Sequence, residues 1–155
     1  MKYKLIVYDF DGVMTNNQVI LSEDGKESVI LNRSDGLAIS LIKKLKINQC
    51  IVSSETNPVV SKRAEKLGIR TFQSVFNKLE TIKALLEEND LNPSEVAFIG
   101  NDLNDLEVIE FLPHSFCPKD SNKKILESST FVLNKKGGKG VIMAFYEHIM
   151  ENSFG

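Results

Sequence analysis

Leu5, Ile6, Val7 and Tyr8 follow one another without a polar residue and lead straight into Asp9-Phe10-Asp11-Gly12. A strand apolar on both faces belongs inside a parallel sheet that helices cover on each side. The rest of the chain keeps the rhythm that such a sheet needs. Residues 49–53 and 96–99 repeat the apolar run, and residues 70–73 and 131–133 read as shorter strands. Between them Ala38, Leu41, Ile42 and Leu45, and later Leu79, Ile82, Leu85 and Leu86, recur at helical spacing. Glu55-Thr56-Asn57-Pro58 suits a helix start, because Asn caps and Pro is tolerated at the first helical position. Residues 141–150 read as a last helix, and residues 18–31 as a hairpin turning at Asp24-Gly25. Strands alternating with helices predict right-handed crossovers and an open, mostly parallel sheet in a three-layer α/β/α arrangement.

At 155 residues the chain suits a single domain, 1–155, with a sizeable core. A net charge of -2 offers nothing to attract nucleic acid or an anionic membrane surface. No apolar run approaches the ~20 residues of a membrane span, and no basic-then-apolar leader opens the chain. Cys50 and Cys117 sit in apolar stretches and read as reduced packing residues, which sets the expected compartment as the cytoplasm. His114 and His148 lack the spacing of metal ligands.

In open α/β sheets ligands bind beyond the carboxyl ends of the strands. Asp9, Asp11, Ser53, Asn101 and Asp102 all fall just past predicted strand ends, so one sheet edge gathers them. Two carboxylates at positions i and i+2 repel unless a cation sits between them. A hard ion such as Mg²⁺ takes one or two carboxylates, with water and substrate phosphate completing its shell. Ser53 and Ser54 offer hydroxyls and amides at a helix start, where anions are welcome, and Lys78 offers a point charge.

Asp9-Phe10-Asp11-Gly12-Val13, Ser53 after a strand, Lys78, and Gly100-Asn101-Asp102-Leu103-Asn104-Asp105, in this order, resemble the four motifs of the haloacid dehalogenase (HAD) superfamily of phosphotransferases. The resemblance covers nearly the whole chain and implies the Rossmann-like HAD fold. It also implies that Asp9 attacks phosphorus to form an aspartyl-phosphate, and that Asp11 serves as acid and then base. Ser53 and Lys78 would hold the transferring oxygens. The implied Mg²⁺ ligands are Asp9, the main-chain oxygen of Asp11 and a side chain of the fourth motif. Many relatives carry Asp where this chain has Asn101, so either the Asn101 carbonyl oxygen or Asp102 would complete the set, with Asp105 in support.

Only the hairpin separates the first motif from the first helix, so no cap domain is expected. The chain is therefore similar to the capless branch, the phosphatases of 3-deoxy-octulosonate 8-phosphate and of nonulosonate 9-phosphates. That branch implies a homotetramer in which a neighbour covers the site and the hairpin assembles the subunits. Ser34-Asp35-Gly36, Asn77-Lys78 and Gly137-Gly138-Lys139-Gly140 match it as well, and Gly12, Ser54 and Asp35 join the expected phosphate or substrate contacts. The glycine-rich stretch reads as cover for a neighbouring site or as a turn before the last helix. The octulosonate enzymes usually carry Gly-Arg after the second-motif Ser or Thr, where this chain has Ser54-Glu55. Glu55, paired with Lys66 along one helical face, would select a polar sugar acid, so the expected substrate is a nonulosonate 9-phosphate. Two alternatives are an octulosonate 8-phosphate phosphatase and a non-catalytic assembly module associated with a CMP-sialate synthetase.

Overall fold

A computed structural model describes residues 2–153. Six parallel strands form its sheet: β1 (Leu5–Tyr8), β4 (Asn48–Val52), β5 (Arg70–Phe72), β6 (Val96–Ile99), β7 (Ser115–Pro118) and β8 (Phe131–Leu133). Their spatial order is β5-β4-β1-β6-β7-β8. The sheet thus grows outward from β1 to β5, then returns to the other side of β1 with β6. The crevice at that reversal, between the C-terminal ends of β1 and β6, is where this class of sheet places its ligand.

Alternation along β1 divides the core. Ile6 and Tyr8 face one way, against α1 (Arg33–Lys44), α2 (Val59–Leu67) and α6 (Val141–Ser153). Leu5 and Val7 face the other way, against α3 (Lys78–Glu88), α4 (Leu106–Phe111) and α5 (Lys123–Ser128). The period-two geometry of a strand therefore accounts for an unbroken apolar run, since both faces are covered. Caps fix the helix starts: the Asn32 side chain accepts from Ser34 N at 2.9 Å, and that of Asn77 accepts from Glu80 N at 3.2 Å. Gly68, in the left-handed region at φ 64°, ends α2. Among the described residues no helix is long and apolar enough to cross a membrane.

The three-layer α/β/α architecture stands as expected, with two differences. β7, α4 and α5 were not marked out by the pattern as elements. The two helices have six residues each, too few for a periodic stripe to register. The hairpin is shorter than its run, with β2 (Ile20–Leu21) and β3 (Glu27–Ser28) pairing antiparallel. Its Val19, Ile20, Leu21 and Ile30 are 49%, 60%, 67% and 68% exposed, so this chain alone leaves about half or more of each one's surface open.

Candidate active site

β1 ends by delivering Asp9 to the crevice, and the chain then turns sharply through Gly12, whose φ of 80° lies in the left-handed region. Close approach adds a second reason for glycine here, because a Cβ would lie 1.9 Å from Asn101 Nδ2. Thr15 Oγ1 closes the turn by accepting from Gly12 N at 3.2 Å and Asn17 N at 3.1 Å. A glycine pair from the far end of the chain supports it from behind. Gly138 N donates to Val13 O at 3.1 Å, and a Cβ on Gly137 would stand 2.1 Å from Gly12 O. The stretch is the expected turn before the last helix, and it also buttresses the first-motif loop.

Asp9 is buried and held twice at one oxygen. Oδ1 accepts from Lys78 Nζ at 2.8 Å and from Phe10 N at 2.8 Å. Lys78 also donates to Asp105 Oδ1 at 2.7 Å, while Asp105 Oδ2 accepts from Asn101 N at 2.9 Å. Burial raises the pKa of Asp9 and the charge of Asp105 adds to it, with Lys78 and the Phe10 N–H opposing. Burial works against the charge on Lys78, but its two carboxylate partners more than offset this and its pKa rises. One ammonium serving two buried carboxylates leaves a negative charge uncompensated, a setting that favours a further cation.

Asp9 Oδ2 and the main-chain oxygen of Asp11 both lie 2.8 Å from one end of the Asn101 carboxamide. With the amide oxygen turned inward, three oxygens converge with no proton between them, a donor set that fits a hard divalent cation. Among the described residues no group of three or more His, Cys, Asp or Glu side chains forms a metal cluster. Any cation here would therefore rely on a main-chain oxygen and an amide as well as Asp9. Asp102, the other candidate for this position, is exposed and caps its own turn, accepting from Leu103 N at 2.7 Å.

Asp9, Asp11, Ser53, Ser54 and Glu55 line a cavity of about 220 Å³ with Asn17, Asn101, Asp102 and Asn104. Burial, then the nearby Glu55 charge, raises the pKa of half-buried Asp11. Ser53 is buried and its Oγ accepts from Glu55 N at 3.1 Å, leaving its own proton to donate. Ser54 Oγ accepts from Asn104 Nδ2 at 3.1 Å, which ties the second motif to the fourth. A larger cavity of about 380 Å³ lies among Tyr3, His114, Phe131 and His148, at the opposite sheet edge, and holds none of the acidic residues.

Two expected arrangements differ. Asp35 is buried away from the cavity, where its Oδ1 accepts from Ile142 N at 3.1 Å and caps α6. Its place in the first turn of α1 points it at the helix beside it, so its position answers a packing need. Glu55 and Lys66 do not pair: Glu55 Oε1 accepts from Thr56 N at 2.9 Å and Asn57 N at 3.0 Å, ahead of α2. Lys66 is exposed in the last turn of that helix, too far along the axis to meet it. Thr15, Asn17 and Asn104, by contrast, were not singled out. Asn17, at φ 68°, stands shortly after the first motif in a region that Asn tolerates better than most residues.

A family model for haloacid dehalogenase-like hydrolases matches residues 42–145, a span that includes Ser53, Lys78, Asn101 and Asp105. The chain is 28% identical over 151 residues to an N-acylneuraminate cytidylyltransferase A of Danio rerio, covering 95% of this chain and 35% of that protein. The chain thus spans about a third of the length of that relative. It is 29% identical over 140 residues to the 3-deoxy-D-manno-octulosonate 8-phosphate phosphatase of Escherichia coli K12, covering 90% of this chain and 74% of that one. It also superposes on the crystal structure of the same-named phosphatase of Moraxella catarrhalis, bound to magnesium, phosphate and a KDO molecule. The TM-score is 0.93 at 27% identity, covering 98% of this chain and 89% of that one.

Proposed function

The chain belongs to the haloacid dehalogenase-like hydrolases, and from that premise we propose that it is a phosphoric monoester hydrolase, a Mg²⁺-dependent phosphatase of a 2-keto-3-deoxy sugar acid phosphate, a nonulosonate 9-phosphate of sialic-acid-type synthesis. The observation that carries this reading is the buried bridge from Lys78 to Asp9 and Asp105, beside the point where the Asn101 carboxamide meets Asp9 Oδ2 and the main-chain oxygen of Asp11. A pure scaffold has no use for a buried, half-compensated acid pair opening on a cavity.

In the proposed reaction a phosphate monoester enters with its phosphorus toward Asp9. Lys78 spends two of its three donors on Asp9 and Asp105, which leaves one for a phosphoryl oxygen. The Ser53 hydroxyl donates to another. The Asp9 carboxylate attacks phosphorus while Asp11 gives its proton to the departing sugar oxygen, a task that a raised pKa suits. Water then attacks the phosphorus of the aspartyl-phosphate and Asp11 takes its proton, releasing phosphate and restoring Asp9. Asp9, the Asp11 main-chain oxygen and Asn101 would hold the Mg²⁺, which when bound offsets the charge between nucleophile and phosphate.

A cavity of about 220 Å³ holds a phosphate and leaves most of a nine-carbon sugar outside. We therefore propose that residues 1–155 act as one domain within a homotetramer, joined through the exposed apolar hairpin, with a neighbour covering the sugar. Glu55 at the cavity rim would meet hydroxyls, and exposed Lys66 would meet substrate or a neighbouring copy. The unpaired, buried Cys50 and Cys117 support a cytoplasmic setting.

The test is phosphate release from a nonulosonate 9-phosphate and from 3-deoxy-octulosonate 8-phosphate, with Mg²⁺ or EDTA, on wild type and Asp9→Asn. Metal-dependent release that Asp9→Asn abolishes supports the phosphatase, and a faster nonulosonate supports the role of Glu55. The likeness to octulosonate phosphatases over 74% of the Escherichia coli relative favours the second substrate instead. No release from either would favour the assembly module, which the amide at Asn101 and the partial match to the cytidylyltransferase suggest.

A further inference from the structure

We propose that the Asn101 carboxamide is a two-position gate on the cation site, nitrogen inward when the site lacks metal and oxygen inward when it holds one. The inference rests on the cation site of the proposed function and not on the identity of the substrate.

Everything about Asn101 except the sense of its amide is pinned. Its N–H donates to Asp105 Oδ2 at 2.9 Å and its carbonyl accepts from Asn122 N at 3.0 Å, so the backbone is held from two sides. Its side chain is buried against Gly12, where the absence of a Cβ leaves just the room that the amide fills. A half-turn about the last side-chain bond exchanges oxygen and nitrogen with almost no change of shape. That exchange reverses the chemistry. With nitrogen inward, the amide donates to Asp9 Oδ2 and to Asp11 O, both at 2.8 Å, one of them a charge-assisted bond. With oxygen inward the same atoms form a set of three acceptors that repel unless a cation joins them.

In the metal-free protein Asp9 is therefore satisfied on both sides, by Lys78 and Phe10 N at Oδ1 and by Asn101 at Oδ2. The nitrogen-inward amide serves as an internal stand-in for the cation. It keeps the donor oxygens at their spacing, and it reduces apparent metal affinity because the cation binds only the oxygen-inward fraction. An ionised aspartate at this position has no donor to offer and cannot play the first role.

The test uses magnesium chloride on the full chain, with three readouts that need no turnover. Calorimetric titration should show Asn101→Asp binding Mg²⁺ at least about tenfold more tightly than wild type, but extra ligand charge alone would also do that. The gate is distinguished by melting in EDTA, where Asn101→Asp should unfold at a lower temperature than wild type, and should overtake it when Mg²⁺ is added. Because that variant can fail to fold, the side-chain NH₂ resonances of Asn101 are followed by NMR in wild type. They should report hydrogen-bonded protons in EDTA and move as Mg²⁺ saturates the site. Mg²⁺ binding with unmoved Asn101 resonances, or an Asn101→Asp protein as stable as wild type in EDTA, overturns the gate and leaves the cation site standing. No Mg²⁺ binding by wild type or variant overturns both.

Discussion

Lys78 and Asp105 form an ion pair of 2.7 Å whose side chains are 1% and 0% exposed. Asp105 does not line the cavity, yet it holds the lysine with one oxygen and the amides of Asn101 and Asp102 with the other. Removing one partner of a buried pair leaves an uncompensated charge, typically at ~3–5 kcal/mol. Asp105→Ala should therefore lower stability in urea unfolding by about that amount. It should also reduce phosphate release by about 100-fold or more, since both Lys78 and the fourth-motif loop lose their anchor. Asp105→Asn, which keeps an acceptor, should cost less in both.

Gly12 is constrained twice, by a φ of 80° and by an approach of 1.9 Å between its missing Cβ and Asn101. Gly12→Ala should cost ~1–3 kcal/mol of stability, and the loop must move to relieve the clash. Activity should fall further than stability, a split to be read from urea unfolding beside kcat.

Gly137 tests the buttress, because a Cβ there would meet Gly12 O, a backbone atom that no rotamer change can move aside. Gly137→Ala should shift the first-motif loop and lower kcat although the residue touches no substrate. Gly25, at φ 82° with nothing within 4 Å of its would-be Cβ, provides the control. Gly25→Ala should cost only ~1 kcal/mol of backbone strain and change kcat far less than Gly137→Ala does.

Asp35 caps α6 from a buried position with Oδ2 unpartnered, and burial raises its pKa to about 6. The native state thus holds this proton more tightly than the unfolded chain, whose value is near the ordinary 3.8. Its contribution is present in full below that ordinary value and is lost as pH rises toward 6, by roughly 3 kcal/mol. Asp35→Asn removes this dependence. Denaturant unfolding at pH 4 and pH 7 should show the variant gaining on wild type by up to about that amount at the higher pH. An equal difference at both pH values would assign the burial no such effect.

Much of this protein was legible in the chain because its signals are local. An apolar run with no polar break means two covered faces, and Leu5 to Tyr8 showed this before any coordinates. A carboxylate just past such a run sits at the edge where ligands bind, so Asp9, Asp11, Ser53 and Asn101 could be assigned to one crevice, and they lie together. α4 and α5, with six residues each, are too short to carry a period, and packing against one face of the sheet, not their own pattern, decides that they form.

What only the tertiary structure decided are relationships between residues far apart in sequence. The motif order suggested that Asp35 contacts substrate, and that the glycine-rich stretch covers a neighbouring site or turns the chain into the last helix. The fold instead brings Asp35 under the start of α6, 107 residues away, and lays Gly137 against Gly12. Asn101 read as one of two residues that could complete the ligand set, and only its spacing to Asp9 and the Asp11 carbonyl gives its nitrogen a role as well. Residue types and spacing along one strand or helix specify the chemistry on offer. Which group faces which across the sheet edge depends on strand order and close packing, and these are set by the whole chain at once.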